Sequence, residues 1–193
     1  YIAGLTEDFI RRQSGPWFAH CGFIHPHHPF EAPQDQIDRY TADDVPLPRI
    51  EASVAKQFIP EPMASAIDEC DRYSEDVLRR IIHHYMASIS LIDENVGRLL
   101  DVLEDTGQRD NTIIVFTSDH GEFLAERRLL RKPSLHYDEL IRVPLVIHVP
   151  GVSARREPGL VELTDVHPTA LGLLGFPVNP GVQGIDWGEA IRV

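Results

Sequence analysis

The stretch TIIVFTSDHGE, residues 112–122, changes character at its middle. Its first half is an apolar, β-branched run of the kind that forms a buried parallel strand. Its second half is polar and lies at the carboxyl end of that strand, where open α/β sheets bind their ligands. Asp119 offers a hard oxygen and His120 an imidazole nitrogen from adjacent positions. Gly121 lets the backbone turn sharply, so that both can face one ion. The same tetrapeptide would serve as a plain turn, and its place after a buried strand is what favours a metal site.

The flanking sequence supplies the rest of an α/β pattern. Upstream, Leu78, Ile82, Tyr85, Ile89, Ile92, Val96, Leu99 and Leu103 recur in alternating steps of four and three, the spacing of an apolar helix stripe. Ser74 is placed to cap this helix, Glu75 and Asp76 suit its first turn, and Gly107 suits its stop, which predicts about eight turns. A surrounding βαβ context favours packing on a sheet over a coiled coil. Downstream, PLVIHV (144–149) predicts a second strand, and DVHPTALGLL (165–174) a helix entered through His167 and Pro168.

At the other end, IAGLTEDFIRRQ (2–13) places Ile2, Leu5, Phe9 and Ile10 at helical spacing before Gly15 and Pro16. WFAHCGFI (17–24) reads as a mostly buried strand, with HPHHPF (25–30) at its C-terminal end. Residues 31–73 hold Pro33, Pro46, Pro48, Pro60 and Pro62 among scattered acids without a period, which predicts a long irregular excursion. The order of elements is that of an α/β fold with a mixed or parallel central sheet.

Composition narrows the partners. At 193 residues, 42 % hydrophobic and 25 % charged, the chain is neither disordered nor fibrous in type. A formal charge of -12 argues against a nucleic-acid partner, and an anionic substrate would need local positive charge. No window approaches the roughly 18 unbroken apolar residues of a membrane span, so no membrane partner is expected. The chain opens on Tyr1 and not on methionine, which leaves the compartment open between cytoplasm and periplasm or exterior. Cys21 and Cys70 make no CxxC pattern, so neither a disulfide framework nor a structural zinc site can be read.

Two further clusters carry chemistry. RRLLRK (127–132) would stack Arg127 over Arg131 and Arg128 over Lys132 if helical. Its three arginines suit a solvated basic face. Lys132 stands apart, because it is close to the Asp119–His120 loop in a chain that needs a cation beside any anionic group. HPHHPF, with three histidines and two prolines in six residues, suits an acid/base site or a stiff surface loop. A zinc cluster of His20, His25, His27 and His28 is the alternative, against which Pro26 and Pro29 stiffen the loop and zinc sites usually recruit separate elements.

These segments together carry a family resemblance. NTIIVFTSDHGEFLAERRLLRKPSLHYDELIRVPLVIHVPG resembles the signature region of the sulfatases and their phosphonate monoester hydrolase relatives in the alkaline phosphatase-like superfamily. PWFAHCGFIHPHHPF, YMASISLIDENVGRLLDVLEDTG and LTDVHPTALGLLGFP resemble further family segments in the expected order. The resemblance implies an α/β/α sandwich with a central mixed or mostly parallel sheet, present here as a partial domain. It further implies that Asp119 and His120 ligate one divalent cation, with Ca2+ the first expectation and Mn2+ or Mg2+ the alternatives. By the same resemblance, His27 contacts the transferred sulfuryl or phosphoryl group and assists the leaving oxygen, and Lys132 neutralises substrate charge.

The family's nucleophile is a cysteine in a Cys-x-Pro/Ala/Ser-x-Arg context, oxidised to formylglycine. Cys21 is followed by GFIH and Cys70 by DRYS, so neither fits, and formylglycine is expected in a missing N-terminal part. Residues 1–193 are accordingly read as the C-terminal portion of one sulfatase-like catalytic domain, inactive in isolation. The expected substrate is a small anionic sulfate ester. A phosphonate monoester or phosphodiester hydrolase, or an inactive metal-binding or interaction module, are the alternatives, and oligomeric state is open.

Overall fold

The computed structural model of the chain describes residues 1–48, 59–61 and 69–193. These residues form two compact units, one made of Tyr1–Arg109 and His120–Pro144, the other of Asp110–Asp119 and Leu145–Val193. Part of the predicted excursion, residues 49–58 and 62–68, lies outside the described residues. Its described part contains the short helix α2 (Gln34–Ile37) and a 3-10 turn, Ala42–Asp44.

The first unit is organised by the long helix α3 (Glu75–Asp105), 31 residues as the stripe predicts. The hydroxyl of Ser74 accepts a hydrogen bond from Val77 N at 3.4 Å, so the expected cap is present. At the other end Gly107 adopts φ +65°. There Gly107 N–H reaches Glu104 O and Gln108 N–H reaches Leu103 O, the paired bonds that close a helix on a left-handed residue. Helix α1 (Ile2–Arg11) packs on α3, burying Ala3 and Ile10. Trp17 Nε1–H donates to Gln108 Oε1 at 2.8 Å.

Helix α3 is not a simple apolar stripe on a sheet. Ala87 and Ser88 are fully buried, whereas Ile89 is 44 % exposed, because the loop of residues 30–45 crosses the helix and needs small residues beneath it. Loop carbonyls buried there require donors, and the helix provides them. His84 Nδ1–H donates to Phe30 O at 3.0 Å, His83 Nε2–H to Ile37 O at 2.9 Å, and Arg79 to Val45 O at 2.7 Å. Ser88 Oγ reaches Glu31 O at 3.2 Å. The loop that follows HPHHPF is thereby fastened to α3.

Two expectations are corrected here. WFAHCGFI forms no strand among the described residues; it runs extended, with Phe18 and Ile24 at 84 % and 73 % exposure. Exposure alternates along the segment as for one covered face, but among the described residues no ladder partner stands beside it. The second correction concerns TIIVFTS, which among the described residues makes no parallel pair and is not fully buried. Strand β1 (Ile114–Thr117) pairs antiparallel with β4 (Leu145–His148), in register Ile114 to His148, and Phe116 and Val146 are exposed.

The other described sheet is the short antiparallel pair β2 (Phe123–Leu124) and β3 (Leu130–Arg131) in the first unit. Phe123 and Leu129 are fully buried with Ile59, Leu135 and Leu140, the last on the short helix α4 (Asp138–Ile141). Burial of each large apolar side chain contributes about 1.5–3 kcal/mol, so this cluster anchors the segment that follows His120.

In the second unit, helix α5 (Val166–Leu174) forms where DVHPTALGLL predicts it, entered through the 3-10 turn Leu163–Asp165. The buried carboxylate of Asp165 accepts from Ile185 N at 2.8 Å, Trp187 Nε1 at 3.0 Å and Glu162 N at 3.1 Å. Those bonds, led by the Ile185 amide, hold its pKa below the ordinary aspartate value. Helix α6 (Gly188–Arg192) follows Trp187. Among the described residues no helix is long and apolar enough to cross a membrane.

Candidate active site

His27 sits in the turn that follows the extended segment, its ring stacked on that of His28 with centroids 4.0 Å apart. Both His–Pro bonds of HPHHPF are cis. His27 Nδ1 lies 2.7 Å from His28 O. A carbonyl can only accept, so Nδ1 carries a proton in this arrangement and Nε2 is the nitrogen left to face a substrate.

The structure brings His120 and Lys132 to His27. The rings of His27 and His120 are 6.2 Å apart, edge to face. His120 repeats the tautomer logic: Nδ1–H donates to Gly121 O at 2.7 Å, leaving Nε2 to accept from Lys132 Nζ at 2.8 Å. An ammonium can only donate, so His120 is neutral in this arrangement. Asp119 is exposed and ends the stretch Asp110–Asp119 of the second unit, one residue before His120.

Gly121 is required for a different reason from the one its sequence suggests. It does not adopt positive φ. Its N–H donates to Leu140 O at 2.7 Å, and a Cβ there would overlap Glu139 O and come within 3.0 Å of Glu139 C and 3.2 Å of Leu140 Cα. Close approach to α4, not a sharp turn, excludes a side chain.

The arginines are also corrected. Residues 126–128 form a 3-10 turn and Leu130–Arg131 a strand, so no helical stacking brings Arg127 over Arg131. Each arginine has its own carboxylate: Arg127 with Glu139 at 3.0 Å, Arg131 with Glu69 at 3.0 Å, and Arg128 with Asp71. Arg127 also lies 4.4 Å from the Tyr137 ring centroid. Ala125, Arg127, Arg128 and Arg131 all adopt positive φ, uncommon for residues with a Cβ. Backbone geometry of this kind persists only where the surroundings over-determine it, and the three ion pairs do so between the Asp-His-Gly-Glu motif and Lys132.

In sequence Glu122 stands out only as part of that motif. It is 9 % exposed, and among the described residues its Oε1 is buried without a hydrogen-bond partner. Burial pushes its pKa up, opposed by His27 and His120 when protonated and by the cations Lys132 and Arg131. His28 is pushed the opposite way, mainly by burial and next by His27, Arg131 and Lys132, so it is neutral near pH 7. The apolar neighbour Phe123 is the one sequence signal that Glu122 would be carried inward.

The four histidines of the zinc alternative do not assemble: among the described residues no group of three or more His, Cys, Asp or Glu side chains could hold a metal ion. For a divalent cation at Asp119 and His120, the test is donor chemistry. His120 is in the ligand tautomer, its other nitrogen fixed by a backbone carbonyl as metal-binding histidines usually are. His120 fits such an ion as one donor of a shell; Lys132 would have to leave Nε2, and further ligands must come from elsewhere.

Comparison with known proteins identifies the family. Residues 2–176 match the model of the Sulfatase family. The chain is 31 % identical to an arylsulfatase of Clostridium perfringens, over 100 % of this chain and 41 % of that protein. It is 36 % identical to a choline-sulfatase of Rhizobium meliloti, over 94 % of this chain and 36 % of the relative. Its structure matches the crystal structure of a phosphonate monoester hydrolase of Agrobacterium radiobacter with a TM-score of 0.88 at 26 % identity, covering 98 % of this chain and 41 % of that one. The chain therefore spans about two-fifths of the length of these relatives. With an α/β fold, the signature segment and a family match along nearly its whole length, the chain belongs to the Sulfatase family.

Proposed function

We propose that the protein carrying this chain is a metal-dependent hydrolase of sulfate monoesters, and that residues 1–193 are the C-terminal portion of its catalytic domain, an α/β/α sandwich completed by sequence outside them. The observation that carries the reading is the juxtaposition of His27, His120 and Lys132, in a family whose relatives include an arylsulfatase and a choline-sulfatase. On this reading Asp119 and His120 are two ligands of a divalent cation, Ca2+ first and Mn2+ or Mg2+ as alternatives. When bound, such an ion supplies Lewis-acid stabilisation of negative charge on the sulfuryl oxygens. The nucleophile is a formylglycine in the remaining sequence, since Cys21 and Cys70 lack the required context, and the isolated chain is inactive.

The residues present account for the leaving-group side of the reaction. His27, its Nδ1 proton held by His28 O, gains a proton at Nε2 and gives it to the departing ester oxygen as the S–O bond breaks. An imidazole suits this because its pKa lies near neutrality. Lys132 offsets substrate charge in a chain of formal charge -12. His28 O and Gly121 O fix the two imidazoles, and the arginine–carboxylate pairs fix the segment that carries Lys132.

A phosphonate monoester or phosphodiester hydrolase is the second reading, favoured by the match to the Agrobacterium enzyme. Side-by-side rates on an aryl sulfate and an aryl phosphonate test the choice: faster sulfate turnover is expected, and equal or faster phosphonate turnover would overturn it. An inactive module predicts neither.

A further inference from the structure

We infer that His84 is a positioning residue for His27: it makes helix α3 the common base of the proton-donating histidine and the Lys132 segment, an inference that rests on the hydrolase reading above. His84 Nδ1–H donates to Phe30 O at 3.0 Å, three residues after His27 in the chain. The adjacent Tyr85 meets the Phe30 ring edge to face at 6.2 Å, so neighbouring residues of α3 grip Phe30 by its carbonyl and by its ring. One turn on, Ser88 Oγ–H shares its proton between Glu31 O at 3.2 Å and His84 O at 2.9 Å. From Phe30 the contacts lead to the proposed acid. The Phe30 ring lies edge to face with His28 at 6.1 Å, His28 stacks on His27, and His28 O holds the His27 Nδ1 proton.

The same helix carries the other half of the site. Leu78 and Ile81 pack against the buried cluster of Cys70, Ala125 and Leu130, and Leu130 is two residues before Lys132. Residues three and four apart on a helix are neighbours, so Ile81 stands beside His84 and Tyr85, about 4.5–6 Å away along the axis. A single turn of α3 therefore spaces two segments that are remote in sequence. A proton donor is effective only when held in place, and a 1 Å misplacement can cost about 10²-fold in rate. Without His84, Phe30 O has to find another donor, and the segment that carries His27 and His28 moves with it. His83 is the internal contrast. It donates to Ile37 O at 2.9 Å, ten residues beyond His27 in the chain, and so fastens a different part of the loop.

The test measures the complete protein on 4-nitrophenyl sulfate, whose leaving oxygen departs without a proton, and on phenyl sulfate, which needs one. His84→Leu should lower kcat on phenyl sulfate about 10- to 100-fold, against less than about threefold on 4-nitrophenyl sulfate, with KM within about twofold on both. A loss of folded protein would lower both rates alike. His84→Asn can present a side-chain N–H where Nδ1–H stood, and should recover the phenyl sulfate rate to within about fivefold of wild type, whereas His84→Gln, which imitates Nε2, should not. His83→Leu should leave the ratio of the two rates as in wild type. If His84→Leu does not fold, Ser88→Ala provides the measurement, with a loss of about threefold on phenyl sulfate and none on 4-nitrophenyl sulfate. Equal losses on the two esters, an unchanged rate in folded His84→Leu, or equal rescue by His84→Asn and His84→Gln would overturn the inference. Amide exchange separates it from the hydrolase reading. The His27 and Glu31 amides bond to Ile24 O at 3.1 Å and Pro29 O at 2.9 Å, and both should exchange about tenfold faster in His84→Leu. Faster exchange in a protein that hydrolyses no sulfate ester would keep the grip and sink the hydrolase reading. Unchanged exchange beside normal sulfate turnover would sink the grip alone.

Discussion

Replacing Gly121 by alanine tests whether the turn after Asp119 is fixed by close packing. The new Cβ would overlap Glu139 O and sit 3.0 Å from Glu139 C and 3.2 Å from Leu140 Cα. Carbon atoms settle about 3.5–4.0 Å apart, so α4 or the turn must retreat by roughly 0.5 Å or more, with a larger displacement at the carbonyl oxygen. The Gly121 N–H to Leu140 O bond, 2.7 Å long, cannot survive that movement intact, a loss of about 1 kcal/mol. Overpacking adds about 1–3 kcal/mol, for a combined destabilisation of about 2–4 kcal/mol. The loss is read from the urea midpoint, which should fall by about 1–2 M for a slope near 2 kcal/mol/M. Because His120 Nδ1 is held by Gly121 O at 2.7 Å, turnover should fall as well. Gly97, with open space around its Cβ position inside α3, is the control: Gly97→Ala should be neutral or stabilising by up to about 1 kcal/mol. A Gly121→Ala protein within about 0.5 kcal/mol of wild type and fully active would refute the packing argument.

Other consequences concern the Lys132 segment, the second unit and the α3 cap. Arg127 combines positive φ with its Glu139 pair, so Arg127→Gly and Arg127→Ala both lose the pair, but only glycine relieves the backbone. Glycine should be the more stable variant by about 1 kcal/mol in urea unfolding, and an alanine variant of equal or greater stability would remove backbone strain from the account. Asp165 has a depressed folded pKa, so its charged form stabilises the protein above the ordinary aspartate value, and that contribution is lost as pH falls through the depressed value. The Tm gap between wild type and Asp165→Asn should therefore narrow from pH 7 to about pH 3, and a constant or widening gap would contradict the assignment. Ser74→Ala should cost about 0.5–1 kcal/mol, the low end for a cap, given the long 3.4 Å bond to Val77 N; no change would show that the cap is not engaged.

Local periodicity made the helices legible. The alternating step of four and three located α3, Ser74 and Gly107 its ends, and DVHPTALGLL the helix α5. Strand partners depend on chain far away, which is why the apolar run of β1 suggests a parallel strand although its neighbour is the antiparallel β4, and why 17–24 suggests a strand although no ladder forms there among the described residues. Side-chain partners were equally hidden. Asp71, Glu69 and Glu139 are remote in sequence or unmarked by any motif, yet they turn a supposed solvated basic face into three ion pairs. Gly121 stands out in the sequence as a turn glycine, whereas what excludes a side chain there is the backbone of α4. His120 and Lys132 stand out by residue type and position and His27 by the family resemblance, whereas their closeness to one another required the fold.

The central claim is that His27 delivers the proton to the leaving oxygen, and its most direct test is the leaving-group dependence of the His27→Ala variant. Sulfate release by the complete protein would be measured over aryl sulfates of rising phenol pKa. The account predicts that the wild-type to variant rate ratio grows along the series and reaches about 10²–10⁴ for the poorest leaving groups, because only these need the proton. A ratio independent of leaving-group pKa, or a variant as fast as wild type throughout, would contradict it.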